Sequence, residues 1–223
     1  MRIGGLQKLT LIDYPGKIAA IVFTQGCNFR CPFCHNPELV IPGRFGHEIL
    51  EAEVLDFLRS HRKYLQGVVV SGGEPTQQGD LIEFLKKLRE MEYLIKLDTN
   101  GSRPRVLQKI IDQKLVDYIA MDVKTSFDKY RQASGVNFQV DRIKKSIALI
   151  IQSGLSHEFR TTAVKSLCSW DDFLEIRNAI QGANSYKIQM FRESENILDS
   201  RLLKEEQYSE KEVELLSRIL KRD

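Results

Sequence analysis

The stretch Gln25-Gly26-Cys27-Asn28-Phe29-Arg30-Cys31-Pro32-Phe33-Cys34-His35-Asn36 places three thiols at a C-x3-C-x2-C spacing directly after an apolar segment. Thiolates are soft ligands, which suit iron–sulfur clusters or zinc. Three cysteines on a four-iron cluster leave one iron without a protein ligand. A cofactor or substrate could coordinate that iron, so the spacing favours a reactive cluster site.

A structural zinc site is the main alternative for these cysteines, because zinc normally takes four protein ligands. His35 and Cys168 are the candidates for a fourth ligand. His35 follows Cys34 directly, which is closer than common zinc pairings allow. Cys168 stands alone far along the chain, and we expect it to be a buried free cysteine. A pair of redox-active thiols is the third possibility, and the spacing alone leaves all three open.

Apolar runs alternate with helical periodicity along the chain, a pattern typical of an α/β fold. The pattern predicts six buried parallel strands with helices between them, in an open doubly wound sheet or an incomplete barrel; periodicity does not distinguish these two. The predicted strands are 18–24, 67–71, 93–99, 118–123, 158–164 and 185–191, and the predicted helices are 48–61, 80–91, 104–114, 141–153, 170–181 and 209–221.

Composition narrows the class of protein. The 223 residues carry 33 basic and 30 acidic side chains, mixed along the chain, with a net charge of +3. The chain therefore lacks the concentration of basic charge that is typical of proteins that bind nucleic acids or membranes. Four cysteines and no long apolar run indicate a soluble protein of a reducing compartment, so we expect a cytoplasmic location. We expect a single domain over 1–223, with its core at about 16–200 and a C-terminal helix at 209–221.

Polar and glycine-rich segments follow the predicted strands, and the carboxyl ends of parallel strands are where α/β folds bind ligands. Each segment also has an ordinary explanation: a tight turn at the glycines, helix caps at Asp98 and Asp122, and a structural ion pair at Arg160. An arginine within an apolar strand requires an anionic ligand or a partner carboxylate. The segments are Gly72-Gly73-Glu74-Pro75-Thr76, Leu97-Asp98-Thr99-Asn100-Gly101, Met121-Asp122-Val123-Lys124, and the single residues Arg160 and Arg192.

Taken in order, these segments resemble the radical S-adenosylmethionine superfamily. The cysteines match its C-x3-C-x-aromatic-C motif with Phe33 as the aromatic residue, and the glycines match its GGEP element. The segment Asp13-Tyr14-Pro15-Gly16 and the sequence after Cys34 resemble the branch that activates glycyl-radical enzymes. The resemblance runs from about Gly5 to Asp199 and is closest to anaerobic ribonucleoside-triphosphate reductase activating proteins.

The resemblance implies an incomplete parallel (β/α)6 barrel and a set of site residues. It implies a four-iron, four-sulfur cluster on Cys27, Cys31 and Cys34, and a monovalent cation held by Asp98, Thr99 and Asp122. The S-adenosylmethionine contacts implied are Phe33, His35, Asn36, Gly72, Gly73, Glu74, Pro75, Asp122, Val123, Lys124, Arg160 and Arg192. No catalytic side chain is expected beyond the cluster and the cofactor, since the cofactor supplies the radical.

The activity implied is reductive cleavage of S-adenosylmethionine to a 5′-deoxyadenosyl radical, which removes hydrogen from a glycine of a partner glycyl-radical enzyme. Anaerobic ribonucleoside-triphosphate reductase is the partner implied, with flavodoxin or ferredoxin as electron donor. No nucleic-acid or membrane partner is expected. One alternative is a small-molecule substrate, as in 7-carboxy-7-deazaguanine synthase. A second alternative is a zinc-stabilised binding module without catalysis.

Overall fold

The computed structural model of the chain describes residues 1–194 and 196–220. The strands are β1 (Ile3–Thr10), β2 (Ala19–Thr24), β3 (Gly67–Gly72), β4 (Leu94–Thr99), β5 (Tyr118–Asp122), β6 (Ser156–Ala163) and β7 (Tyr186–Met190). The α-helices are α1 (Pro37–Val40), α2 (Glu51–His61), α3 (Leu81–Glu90), α4 (Pro104–Asp112), α5 (Tyr130–Ser134), α6 (Asp141–Gln152), α7 (Trp170–Ala179) and α8 (Glu210–Leu220). Three short 3-10 helices cover Pro42–Arg44, Pro75–Gln77 and Ser200–Lys204.

The chain packs into two compact units, each built from several segments. The first unit contains 1–28, 38–99 and 105–119, and the second contains 29–37, 100–104 and the chain from 120 onward. Strand β5 contributes its first two residues to the first unit and its last three to the second.

The first unit is built on β1 to β4, in that order, followed by the start of β5. β2, β3 and β4 run parallel, with Val22 opposite Val70 and Val70 opposite Leu97. The run Val68-Val69-Val70 is fully buried, as expected of β-branched residues in a covered parallel strand. Helix α3 buries one stripe of apolar side chains with helical spacing: Leu81, Phe84, Leu85 and Leu88.

The second unit contains the end of β5 followed by β6 and β7. β6 and β7 are parallel, with Arg160 opposite Lys187. Helix α7 begins with a capping box, in which Ser169 and Asp172 satisfy each other's backbone amides. Helix α8 buries Val213, Leu216 and Leu220, so it is amphipathic as predicted; Lys221, the predicted last residue of this helix, lies outside the described residues.

Strands form at all six predicted places, within two residues at each end. The prediction that all six are buried is wrong for β7, in which Lys187 and Gln189 are exposed and the other residues are only partly covered. The prediction missed β1, which pairs antiparallel with β2, so the sheet of the first unit is not entirely parallel. The reason is local: Gly4, Gly5, Gln7 and Lys8 give β1 no apolar run, and most of its residues stay at least partly exposed. It is recognisable as a strand only through its pairing. Helix α5 was also missed, since no helix was predicted between the strand that ends at 123 and the helix that begins at 141.

Within the described residues, none of the helices has the length and apolar character required to cross a membrane.

Candidate cluster and cofactor site

In the first unit, the turn at Gly72–Pro75 is hydrogen-bonded to the end of β2 and to the residue before Cys27. The amide of Gly73 donates to the carbonyl of Thr24 at 2.8 Å. The amide of Glu74 donates to the carbonyl of Gly26, also at 2.8 Å. The structure therefore brings the predicted glycine element and the start of the cysteine loop together.

The two glycines of this turn are required by close backbone contacts. Gly72 has φ +115°, a conformation that side chains other than glycine rarely adopt, and a Cβ there would lie 2.3 Å from the Thr24 amide nitrogen. A Cβ on Gly73 would lie 2.2 Å from the Gly26 carbonyl oxygen. An ordinary tight turn needs no such contact, so these glycines serve to hold the turn against the cysteine loop.

Glu74 is a buried carboxylate with an ordered set of donors. Its side chain is 1% exposed, and its Oε1 accepts from the Thr76 amide at 3.1 Å and from the Thr99 hydroxyl at 2.7 Å. The Thr76 hydroxyl donates to the same oxygen at 2.5 Å. Glu74 thus caps the 3-10 helix that begins at Pro75 and is fixed in one orientation.

Asp98 lies at the end of β4 in the same unit and does not stand as an isolated carboxylate. Its Oδ1 is 2.7 Å from the ammonium of Lys96, and its Oδ2 accepts from the Ser71 hydroxyl at 3.1 Å. The sequence analysis singled out Asp98 and Thr99 but missed Lys96, although a lysine inside a predicted buried strand indicates a paired charge.

In the second unit, the cysteine loop carries Cys31, which is buried, and Cys34, which is partly exposed. The Cys34 amide donates to the Cys31 carbonyl at 3.0 Å, and the Leu198 amide donates to the Cys34 carbonyl at 3.0 Å. Burial raises the pKa of the Cys31 thiol to about 11, although nearby Lys124 acts in the opposite direction. None of the four cysteines, all of which lie within the described residues, forms a disulfide bond.

An aromatic cluster that the sequence did not reveal anchors this loop. The ring of Phe29 lies 6.4 Å from that of Tyr130 and 4.8 Å from that of Phe138. The amide of Arg30 donates to the Ser134 carbonyl at 2.7 Å. Gly135 has φ +68°, and a Cβ there would lie 2.0 Å from the Arg30 carbonyl oxygen. Helix α5 and the glycine that ends it therefore position the loop that carries Cys31 and Cys34.

Asp122, Lys124 and Arg160 form a charged group at the ends of β5 and β6. Asp122 accepts from the Arg160 Nε at 2.8 Å and from the Lys124 Nζ at 2.9 Å. Burial by itself raises the pKa of Asp122, but the two cations outweigh it and hold the pKa well below its usual range. Burial likewise lowers the pKa of Lys124, yet Asp122 raises it on balance. The partner carboxylate expected for Arg160 is thus Asp122.

The aromatic and backbone surroundings of Lys124 connect this charged group to the cysteine loop within the second unit. The Lys124 Nζ lies 5.7 Å from the centre of the Phe33 ring, a cation–π distance. The Val123 amide donates to the Arg160 carbonyl at 2.9 Å, and the Thr161 hydroxyl donates to the Val123 carbonyl at 2.7 Å. Phe33, Val123, Lys124 and Arg160 therefore lie together in the second unit.

Three further predicted site residues, His35, Asn36 and Arg192, lie at the surface of the second unit. His35 is exposed, its Nε2 is 2.6 Å from the Arg192 carbonyl oxygen, and its ring lies 5.6 Å from that of Phe191. The structure brings His35 to the backbone of Arg192 and leaves both Arg192 and Asn36 exposed.

Cys168, the alternative fourth ligand for zinc, is 1% exposed, and burial raises the pKa of its thiol to about 12. The prediction of a buried free cysteine is confirmed. Across residues 1–194 and 196–220, no three His, Cys, Asp or Glu side chains gather in a way that would hold a single metal ion. A four-iron cluster instead bonds each of its cysteines through a separate iron atom.

Comparison with known proteins defines the class. Residues 21–177 match the family described as the Radical SAM superfamily, SAM being S-adenosylmethionine, and the chain belongs to this superfamily. The structure is similar to that of Streptococcus suis SuiB bound to S-adenosylmethionine, with a TM-score of 0.68 and 18% identity, covering 90% of this chain and 45% of that one. This likeness concerns the fold and confirms the predicted fold class.

The relatives that match by sequence identify a family within the superfamily. It is 34% identical, over 99% of its length and 92% of the relative's, to a Methanocaldococcus jannaschii protein that carries the provisional name glycyl-radical enzyme activating enzyme MJ1227. It is also 34% identical to the pyruvate formate-lyase-activating enzyme of Clostridium pasteurianum, over 60% of this chain and 57% of that one. Within the superfamily, the chain is thus a member of the glycyl-radical enzyme activating family.

Proposed function

We propose that this chain activates a glycyl-radical enzyme, with anaerobic ribonucleoside-triphosphate reductase as its target, and takes electrons from a flavodoxin or ferredoxin. The observation that carries the proposal is the similarity over 99% of the chain to a relative named for this activity. The reductase as target rests on the resemblance of the sequence segments alone.

The donor set fits a four-iron, four-sulfur cluster. Cys27, Cys31 and Cys34 lie at the superfamily spacing, and none of them is used in a disulfide bond. Thiolates are the ordinary ligands of such clusters. The buried position of Cys31, which raises the pKa of its thiol, means that loading the cluster must displace the thiol proton. We therefore propose these three residues as the ligands of the cluster.

Charged side chains of the chain suit the two ionic groups of S-adenosylmethionine. The Glu74 carboxylate and the carbonyls of the glycine turn suit an ammonium group. Lys124 and Arg160 suit a carboxylate, and Asp122 holds these two cations in place. We propose that Phe33, His35, Asn36 and Arg192 contribute further contacts. When bound, the cluster and cofactor supply reductive carbon–sulfur cleavage and hydrogen-atom abstraction.

Anaerobically reconstituted protein, supplied with S-adenosylmethionine, a reductant and a purified anaerobic ribonucleoside-triphosphate reductase, tests the proposal. A glycyl-radical EPR signal in the reductase is expected. Cys34→Ala should abolish the signal, whereas Cys168→Ala, which changes a cysteine outside the motif, should preserve it. Cofactor cleavage without a radical in this or any other glycyl-radical enzyme would favour a small-molecule substrate. Bound zinc without iron, and no cleavage, would favour a non-catalytic binding module.

A further inference from the structure

Lys96 is a buried ammonium in the middle of a parallel strand. Its side chain is 2% exposed, and its Nζ lies 2.7 Å from Asp98 Oδ1; the Asp98 side chain is 15% exposed. A buried ammonium is costly unless it is paired and hydrogen-bonded. The pair with Asp98 therefore explains how Lys96 can occupy this position.

The register of the strands shows why the two side chains meet. Residues 96 and 98 of β4 point to the same face, and Val69 is opposite Lys96. That face carries an apolar cluster of Tyr14, Ala19, Ile21 and Val69. The Lys96 Nζ also lies 5.8 Å from the centre of the Tyr118 ring. Asp98 is thus the carboxylate that balances the Lys96 charge on an apolar surface. The Ser71 hydroxyl from β3 donates a hydrogen bond to Asp98 Oδ2 at 3.1 Å.

Thr99, the other predicted cation ligand of this unit, forms a hydrogen bond with a different carboxylate, that of Glu74. It follows Asp98 in the strand and so points to the opposite face, where its hydroxyl donates to Glu74 at 2.7 Å. The side chains of Asp98 and Thr99 therefore do not converge on one point. The monovalent cation implied by the resemblance does not fit residues arranged in this way.

We propose that Lys96 is a built-in counter-ion, which provides at Asp98 the positive charge that a monovalent cation would otherwise supply. The protein should then need no potassium or sodium ion at Asp98. The expected effect of Lys96 on cofactor binding rests on the proposed function. The role of Lys96 as a counter-ion to Asp98 does not. Stability measurements test it independently.

The test compares the melting temperature of the full-length, anaerobically reconstituted protein in potassium chloride, ammonium chloride and choline chloride at equal ionic strength. Wild-type protein should melt at the same temperature in all three salts. Lys96→Met removes the ammonium and leaves Asp98 without its counter-ion, so the melting temperature in choline chloride should fall by at least about 4 °C. Potassium or ammonium should restore part of the loss. Lys86→Met, at an exposed lysine paired with Glu83 at 2.9 Å, is the matched control and should respond equally to the three salts.

Three outcomes would overturn the inference: wild-type protein that potassium stabilises relative to choline, a Lys96→Met variant as stable as wild type, or a variant equally destabilised in every salt. If the variant does not fold, the wild-type comparison and thallium-205 NMR decide, since a bound thallium ion in wild-type protein contradicts a built-in counter-ion. Equal affinity of wild-type protein for S-adenosylmethionine in potassium and choline salts is also expected. Absence of any cofactor binding would count against the proposed function and leave the stability result standing.

Discussion

At the scale of single residues, Glu74 carries the sharpest prediction for the cofactor. Three donors from Thr76 and Thr99 fix one oxygen of its buried carboxylate. Glu74→Gln keeps the shape and removes the charge that would meet an ammonium group. Because hydrogen bonds to charged groups contribute about 1.5–3 kcal/mol, the affinity for S-adenosylmethionine should fall about tenfold or more. Anaerobic titration calorimetry measures this, with exposed Glu90→Gln as control. Unchanged affinity in a folded variant would remove Glu74 from the site.

Asp122 allows a prediction about pH at the same scale. Because Arg160 and Lys124 hold its pKa below the usual range, Asp122 stabilises the fold above its unfolded pKa and loses this effect as the pH falls toward its folded pKa. Asp122→Asn should lower the free energy of unfolding by about 2 kcal/mol at pH 7. The difference from wild type should shrink below about pH 4.

Urea denaturation at several pH values measures the effect of Asp122→Asn. Asp56→Asn is the control, because Asp56 is 74% exposed and pairs with Arg59 on the surface of α2. It should change the free energy of unfolding by no more than about 0.5 kcal/mol. A deficit in Asp122→Asn that is equally large at pH 7 and pH 3 would contradict this account.

At the scale of elements, the contact between the glycine turn and the cysteine loop can be broken by one methyl group. Gly73→Ala would place a Cβ 2.2 Å from the Gly26 carbonyl oxygen, which is backbone and yields only if the loop moves. The free energy of unfolding should fall by roughly 1–3 kcal/mol, as for other overpacked positions. Gly79→Ala, where a Cβ would meet nothing within 4 Å, is the control. Chemical denaturation compares the two variants, and equal stabilities would show that the turn is not held against Gly26.

At the scale of the whole molecule, the supply of cysteines limits the number of clusters. The chain has four cysteines, and Cys168 is 1% exposed with the pKa of its thiol raised to about 12 by burial. Iron and sulfide analysis of reconstituted protein should therefore give one four-iron cluster per chain. Cys168→Ala should leave this content unchanged, and Cys31→Ala should lose most of it. Iron well above one cluster, lost in Cys168→Ala, would indicate a second site and remove the need for an external electron donor.

The sequence by itself determined the parts of this protein that depend on local order. The spacing of Cys27, Cys31 and Cys34 predicts a set of metal or cluster ligands because ligands on one loop must follow a fixed spacing. The apolar run at 67–70 predicts a strand because both of its faces are covered. The glycine turn, Asp122 and Arg160 were found because each lies at a strand end or interrupts an apolar run.

Only the tertiary structure decided which groups meet. β1 becomes a strand by pairing with β2, since its own residues carry no apolar pattern. Asp122, which the resemblance places at the cofactor and a cation, is bonded to Arg160 from the next strand. The two-residue period of β4 puts Lys96 and Asp98 on one face, but only the register of β3 and β4 showed that this face is apolar, with Val69 opposite Lys96. The pairing of β1 with β2 and the bond between Asp122 and Arg160 join residues of different strands, so their geometry and electrostatics arise only when the strands are aligned.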